Sequence, residues 1–259
     1  SRGVSQLFGI DLAENFRRPY FSRNISEYWH RWHITLGAWL REYLFYPIAM
    51  SKLFQKFGRS LKKHFGMKIS KVLPVSIASL ITFIVVGIWH GAYWRYVGFG
   101  LWNGLIIMVS TLLEDKYAVW KKTLHIRDTN KLFILFQMFR TFLIVLVGYY
   151  FDIAPGFTAA LKMMWLSITD FHISELADPA IFDALGVSSA SLILVAVAVL
   201  ALLVCSIVQE CSGRTLREMI CSKGFWAEAG VFLLLFWVVA IFGVYGPGTN
   251  PAEFVYMQF

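Results

Sequence analysis

Long apolar runs are the feature of this sequence that most restricts the possible folds. A helix needs roughly 20 predominantly apolar residues to cross the hydrocarbon core of a membrane. Five runs approach that length: residues 73–89, 97–113, 132–151, 189–208 and 226–244. The chain of 259 residues is 58% hydrophobic and only 15% charged, which is typical of an integral membrane protein. Because backbone groups in lipid must be hydrogen-bonded within each segment, we predict a single all-α membrane domain over residues 1–259 with about five transmembrane helices.

The charges between these runs predict the orientation in the membrane. Residues 49–72 hold seven bases and no acid: Lys52, Lys56, Arg59, Lys62, Lys63, Lys68 and Lys71. We interpret this segment as a cytoplasmic loop by the positive-inside rule, and expect it to face anionic headgroups rather than nucleic acid. Residues 114–131 and 209–225 are also rich in bases, whereas residues 152–188 are acidic. This alternation fits five crossings with an extracytoplasmic C-terminus.

The segment 16–48 is apolar and aromatic but is interrupted by arginines and glutamates, so it cannot face lipid along its length. We predict a re-entrant or in-plane helix that begins near Ile25, capped by Ser22 or Asn24, with Glu27 in its first turn. One continuous helix would place His33 beside His30. The arginines within the segment would need carboxylate partners, such as Glu27 for Arg31.

Histidines are the main candidates for chemistry in this chain. The spacing Glu27-x-x-His30-x-x-His33 is compatible with a metal site on a helix, but such sites need more ligands, so we expect no metal. His90 ends the apolar run 73–89, where an ionisable residue is costly and therefore indicates function. The alternative for His90 is a helix-capping histidine that reaches the headgroups.

Other catalytic signatures are absent from the sequence. We find no G-x-S-x-G elbow, no phosphate-binding loop and no dinucleotide fingerprint. What remains is a histidine general base in a membrane-buried cavity. Two other classes stay open: a proton-coupled transporter subunit, which should show internal repeats that we do not see, and a non-catalytic scaffold.

Two motifs resemble the membrane-bound O-acyltransferase (MBOAT) family, in particular its bacterial branch of alginate O-acetyltransferases and teichoic acid D-alanyltransferases. They are RPYFSRNISEYWHRWHITLGAWLREYLFYPI at residues 18–48 and GIWHGAYWRYVGFGLWNG at residues 87–104. The ending YGPGTNPAEFVYMQF at residues 245–259 also resembles acetyltransferase-type members. The resemblance implies a C-terminal portion of a larger fold, with further spans expected before residue 1.

The resemblance also implies an activity and its residues. His90 of the W-H-G motif becomes the expected catalytic residue, and His33 of the R-W-H motif the second. Trp32, Trp89, Trp102 and Asn103 are weaker candidates for lining a substrate tunnel, and packing is the alternative for Trp102 and Asn103. The expected reaction transfers an acyl group, acetyl before D-alanyl, to hydroxyls of an exported polysaccharide or teichoic acid.

The resemblance extends to donors and partners. No tightly bound cofactor is expected. The donor would be a cytosolic thioester, acetyl-CoA or a phosphopantetheine-bearing acyl carrier, and an extracytoplasmic accessory protein would complete the transfer. The expected location is the bacterial cytoplasmic membrane. The basic segment after Pro47 departs from the P-L-G-G pattern of alginate-type members, which leaves the substrate open.

Overall fold

The computed structural model describes residues 2–172, 174, 178–184 and 189–242. The chain divides into two compact units, Ser1–Phe171 and His172–Phe259. The helices of the first unit are α1 (Arg2–Leu7), α2 (Ile25–Arg31), α3 (Ile34–Leu40), α4 (Tyr46–Ala49), α5 (Lys52–His90), α6 (Trp94–Leu112), α7 (Glu114–Thr123), α8 (Lys131–Ile153) and α9 (Phe157–Thr169). The second unit contains α10 (Pro179–Ala184), α11 (Ser189–Ser212), α12 (Leu216–Cys221) and α13 (Phe225–Phe242).

The predicted all-α membrane architecture is confirmed. Among the described residues, four helices are long and apolar enough to cross a membrane: α5, α8, α11 from Ser191 and α13. The pair α6 and α7, bent by 59°, would add a fifth span. The expected helical pair 73–113 is present as the end of α5 followed by α6, while residues 243–259 of the predicted last span and tail lie outside the described part of the chain.

Within the predicted cytoplasmic loop 49–72, residues 52–65 and 67–71 are helical, and the cytoplasmic side of the segment stays a prediction. Lysine, leucine and glutamine favour helix, and the Ser51 side chain caps the helix by accepting a hydrogen bond from the Phe54 N–H at 3.2 Å. Gly66 interrupts α5 with φ 80° and ψ 178°. A Cβ on Gly58 would lie 2.9 Å from the Ser70 carbonyl oxygen, so the chain folds back at Gly66. We call residues 52–65 the basic arm and residues 67–90 the spanning arm.

The spanning arm and α6 form an antiparallel pair whose contact depends on glycines. A Cβ on Gly87 would lie 2.1 Å from the Tyr96 carbonyl oxygen, and one on Gly100 would lie 2.3 Å from the Phe83 carbonyl oxygen. Small residues let two membrane helices approach backbone to backbone, where dispersion contacts take the place of a hydrophobic driving force. The motif glycines are therefore close helix contacts. An ion pair between Lys68 and Asp115 joins the other end of the pair to α7.

The N-terminal segment is not the single helix that we predicted. Asn24 caps α2, accepting the Glu27 N–H at 2.8 Å, and Arg31 pairs with Glu27 at 2.8 Å, as expected. However, the helix ends at Arg31, and α3 begins only after His33, whose φ of 46° is left-handed. A π-helical turn over Arg41–Phe45 then connects α3 to α4. Within this segment, α2 packs on α6 and α8 through the buried residues Ile25 and Tyr28.

The described residues of the second unit include two long apolar helices and two short ones. A capping box begins α12, with Thr215 Oγ1 accepting the Glu218 N–H at 3.2 Å and the Glu218 carboxylate accepting the Thr215 N–H at 2.8 Å. Along α11 from Ser191 and along α13, most apolar side chains are exposed. Exposed apolar surface over 18 or more residues is what a lipid-facing helix presents.

The glycine contact generates a stability prediction. We expect Gly87→Ala to lower the thermal unfolding midpoint of the protein in detergent, because overpacking typically costs about 1–3 kcal/mol. Gly230→Ala is the matched control, since no atom lies within 4 Å of a Cβ at that helical position. An unchanged midpoint in Gly87→Ala would show that the helices do not approach as closely as described.

Candidate active site

His90 is the last residue of the spanning arm, and the helix stops directly behind it. Gly91 follows with φ 154°, a value that L side chains rarely adopt, and its N–H donates to the Ile88 carbonyl at 3.1 Å. A Cβ at Gly91 would also lie 2.7 Å from the Tyr96 ring. The glycine of the W-H-G motif therefore lets the chain turn immediately after the histidine.

Aromatic side chains surround the half-buried imidazole of His90. Its ring centroid lies 5.0 Å from that of Trp89, 5.6 Å from Phe99 and 6.1 Å from Tyr96. Phe99 and Tyr96 are buried on α6, so the close α5–α6 contact fixes one wall around the histidine. Such a wall restricts the access of water to the ring.

His33 occupies the break between α2 and α3, and a distant segment holds that break open. The Arg17 N–H donates to the Arg31 carbonyl at 2.9 Å, and the Ile34 N–H donates to the Asn15 carbonyl at 3.0 Å. Residues 15–17 thus bond to the chain on both sides of His33, and we call them the clamp. The Asn15 side chain also accepts from Thr35 N–H at 3.0 Å and Thr35 Oγ1 at 2.6 Å, capping α3 from outside.

The clamp places the His33 ring beside two aromatic side chains. Its ring lies 4.9 Å from Phe16 and 5.9 Å from Trp32. Burial lowers the pKa of His33 below its ordinary value, because desolvation disfavours the charged imidazolium. Ring contacts run without a gap between the two histidines. Trp32, next to His33, stacks on Tyr28 at 5.8 Å, and Tyr28 packs on Trp29 at 5.3 Å. Trp29 in turn packs on Phe99, the neighbour of His90, at 6.2 Å. The structure therefore brings together two histidines that are 57 positions apart in the sequence.

Trp29 connects the two histidine-bearing elements. Its Nε1–H donates to the Asn103 side-chain oxygen at 3.3 Å, and its ring packs 6.2 Å from Phe99, the neighbour of His90. Asn103 is 3% exposed and donates in turn to the Phe99 carbonyl at 2.9 Å. This bond network ties α2 to the same turn of α6 that contacts His90.

The four residues predicted to line a tunnel occupy different surroundings. Trp32 stacks on Tyr28 at 5.8 Å, next to His33, and Trp89 is 58% exposed beside His90. Trp102 donates its Nε1–H to the Ile144 carbonyl of α8 at 3.0 Å, a helix-packing contact. Asn103 is buried and acts as the anchor for Trp29. A role for these side chains in a tunnel remains a prediction.

The sequence analysis did not predict a cluster of three tyrosine hydroxyls. The Tyr149 hydroxyl on α8 lies 3.3 Å from the Tyr20 hydroxyl and 3.4 Å from the Tyr28 hydroxyl. Burial raises the pKa of Tyr28 above its ordinary value, and the contact with Tyr149 acts in the same direction. The Tyr28 phenol therefore stays a neutral hydrogen-bonding group. No local pattern connects residues that are 121 positions apart.

The sequence analysis also did not single out Arg95, which holds the Tyr96 ring in place beside His90. Its guanidinium donates to the Tyr96 hydroxyl at 2.9 Å and lies 4.6 Å above the Tyr96 ring. It also donates to the Ala154 carbonyl at 2.8 Å, linking the start of α6 to the end of α8. Its Nε is buried and has no hydrogen-bond partner among the described residues.

The Glu27, His30 and His33 spacing does not produce a cluster of ligands. Glu27 pairs with Arg31, the His30 ring bonds to the Ser26 carbonyl at 2.7 Å, and His33 lies beyond the helix break. Within the described part of the chain, no three His, Cys, Asp or Glu side chains are grouped as a metal site would require.

The fold and the histidine pair describe a multi-pass membrane protein with partly buried imidazoles, and known proteins are similar to parts of its sequence. The chain is 29% identical over 176 residues to a probable alginate O-acetylase of Azotobacter vinelandii, covering 67% of this chain and 30% of that protein. It is 28% identical over 148 residues to a teichoic acid D-alanyltransferase of Bacillus subtilis, covering 57% and 34%. It is 34% identical over 107 residues to a peptidoglycan O-acetyltransferase of Helicobacter pylori, covering 41% and 17%. No family model matches the chain.

These relatives are all membrane-bound O-acyltransferases, so the resemblance is confirmed. The chain is homologous to these bacterial proteins over the matched segments. The matched segment spans about a third of the length of the alginate and teichoic acid relatives.

The lowered pKa of His33 makes stability depend on pH in a defined direction. Between the folded-state pKa and the ordinary value of 6.5, the unfolded chain binds a proton that the folded chain does not. The free energy of unfolding therefore rises with pH through this window, and this contribution is complete above it. We expect the thermal midpoint to fall less below pH 6.5 in His33→Asn than in the wild type. An equal fall in both proteins would contradict burial of a neutral imidazole.

Proposed function

We propose that the protein is an O-acyltransferase that moves an acetyl group from a cytosolic thioester to hydroxyls of an exported cell-surface polysaccharide. The observation that carries the proposal is that His33 and His90, one from each motif, are joined by a continuous set of aromatic contacts. The named activities of the relatives support it, since all three transfer acyl groups to envelope or exported polymers.

His90 is the general base in this proposal. The acceptor hydroxyl gives its proton to a neutral His90 ring nitrogen as its oxygen attacks the thioester carbonyl carbon. The carbon–sulfur bond then breaks, and the departing thiolate takes the proton from the imidazolium. The products are an ester and a free thiol. General base catalysis by a placed imidazole typically contributes about 10²–10⁴-fold in rate.

His33 acts on the same reacting centre. Burial keeps its imidazole neutral, so one ring nitrogen carries a proton that it can donate. Donation to the carbonyl oxygen stabilises the negative charge that develops there during attack. The clamp supports this role, because it fixes the backbone of His33 in a conformation that few residues adopt on their own.

The proposal includes a location and partners. The membrane would be the bacterial cytoplasmic membrane, with the basic segment 49–72 in the cytosol and the C-terminus outside. The donor would be acetyl-CoA or an acyl group on a phosphopantetheine carrier, and an extracytoplasmic accessory protein would take part in delivery to the polymer. The excess of bases in residues 51–71 supports this orientation.

D-alanyl transfer is the second candidate. The 28% identity to the Bacillus subtilis teichoic acid D-alanyltransferase favours it as a specific alternative. The two candidates share the ester-forming step and the roles of His33 and His90. They differ in the acyl group, which chemical analysis of the product identifies.

The test is the ester content of the cell surface. We expect His90→Ala, in cells carrying the complete gene, to reduce base-labile acyl groups on the purified surface polymer by about 100-fold or more. His33→Asn should also reduce them strongly, while asparagine tolerates the left-handed backbone at this position. Released acetate and released D-alanine are measured separately at matched protein levels.

His30→Ala is the matched control. His30 lies on the same short helix but is exposed, and its ring bonds only locally to Ser26. Its removal should leave the ester content unchanged. Loss of D-alanine in place of acetate would select the second candidate. Unchanged ester in both His90→Ala and His33→Asn would refute the histidine mechanism and leave a transporter or scaffold role for the protein.

A further inference from the structure

The fold-back of α5 creates a cavity between the basic arm and the start of the spanning arm. Its volume is about 370 Å³, and Gly58, Ser70 and Pro74 line the point where the arms come closest. Counting along the helix at 1.5 Å per residue, Lys71 at the cavity lies roughly 28 Å from His90. The cavity is therefore separate from the candidate active site.

Three cations line this cavity without a carboxylate beside them. They are Arg59 and Lys62 on the basic arm and Lys71 on the spanning arm. Lys68, which is close in sequence, is neutralised by Asp115, whereas none of the three lining cations forms an ion pair with a described residue. Converging unpaired cations in a concave site favour an anionic ligand.

The apolar surroundings indicate which kind of anion fits. Phe54, Pro74 and Val75 line the same cavity, so an occupant meets cations and hydrocarbon together. The apolar run of the spanning arm begins directly after Lys71, which places the cavity at the end of a membrane span. A small soluble anion would make no favourable contact with the apolar part of this lining.

The basic arm itself has the properties of a helix that lies in a membrane surface. Leu53, Phe57 and Phe65 are 72%, 37% and 61% exposed, although the rest of the arm is strongly cationic. A helix that carries lysines on one face and exposed Leu and Phe on another binds along the headgroup layer of anionic membranes. The cavity would then open at headgroup depth.

We propose that this cavity binds the headgroup of an anionic phospholipid, with the phosphodiester oxygens among Arg59, Lys62 and Lys71 and the glycerol end against Pro74 and Val75. The site is independent of the acyl-transfer reaction. It anchors the helical hairpin at the membrane surface and makes the membrane composition a determinant of how firmly the hairpin is held.

The test titrates phosphatidylglycerol into the intact protein in a neutral detergent and follows binding by the shift in thermal midpoint, with phosphatidylcholine as the neutral lipid. Lys62→Gln combined with Lys71→Gln removes two lining charges. Lys56→Gln combined with Lys63→Gln removes two charges from the same basic arm that do not line the cavity. The two double variants therefore have equal net charge.

We expect the Lys62 and Lys71 variant to bind phosphatidylglycerol roughly tenfold or more weakly, and the Lys56 and Lys63 variant to bind it nearly as the wild type does. Replacing Lys62 and Lys71 by arginine should retain binding. Equal weakening in both glutamine variants would mean general surface attraction and overturn the proposal. A stabilising shift from inorganic phosphate or glycerol 3-phosphate that matches that of the lipid would overturn it too, because the ligand would then be soluble.

Discussion

The close contact between α5 and α6 is the interaction on which the rest of the site depends. Gly87 and Gly100 remove the side chains that would keep the two backbones apart, so Tyr96 and Phe99 on α6 reach His90 at the end of α5. The ionisable residue is thereby partly covered by protein, and membranes tolerate such groups where they face the protein interior. A single helix pair thus supplies both the histidine and most of its enclosure.

A second constraint, the clamp, acts on His33. Residues 15–17 form backbone hydrogen bonds on both sides of the break between α2 and α3, which holds His33 at φ 46°. A continuous helix would leave His33 on the outer surface beside His30. The break turns it toward Phe16 and Trp32 instead, and Trp29 then joins this element to α6 through Asn103. Local strain at His33 is therefore balanced by contacts made elsewhere.

Sequence reasoning predicted the helical membrane class, a cap at Ser22 or Asn24 and the pair of Glu27 with Arg31, because apolar length, capping and i,i+4 pairing are local properties. It selected His33 and His90 by motif. It failed at the helix break, because the groups that stabilise the break come from Asn15 and Arg17, far back in the chain.

The helical structure of the basic segment 49–72 was not predicted, for a different reason. Its many charges favoured a loop, yet lysine is a good helix former and Ser51 supplies a cap, so the arm is helical up to Gly66. The Tyr149 hydroxyl cluster and the Arg95 contacts depend on which helices pack together, which no local pattern in one sequence reveals. The fold class was thus predictable, whereas the surroundings of the histidines were not.

The most direct test of the central claim is a double-mutant cycle on the rate of ester formation, with His33→Asn, His90→Ala and the double variant. If the two imidazoles act on one reacting centre, removing the second should cost little once the first is gone, and the coupling energy should exceed about 1 kcal/mol. Effects that simply multiply in the double variant would contradict a shared site, whatever the size of each single effect.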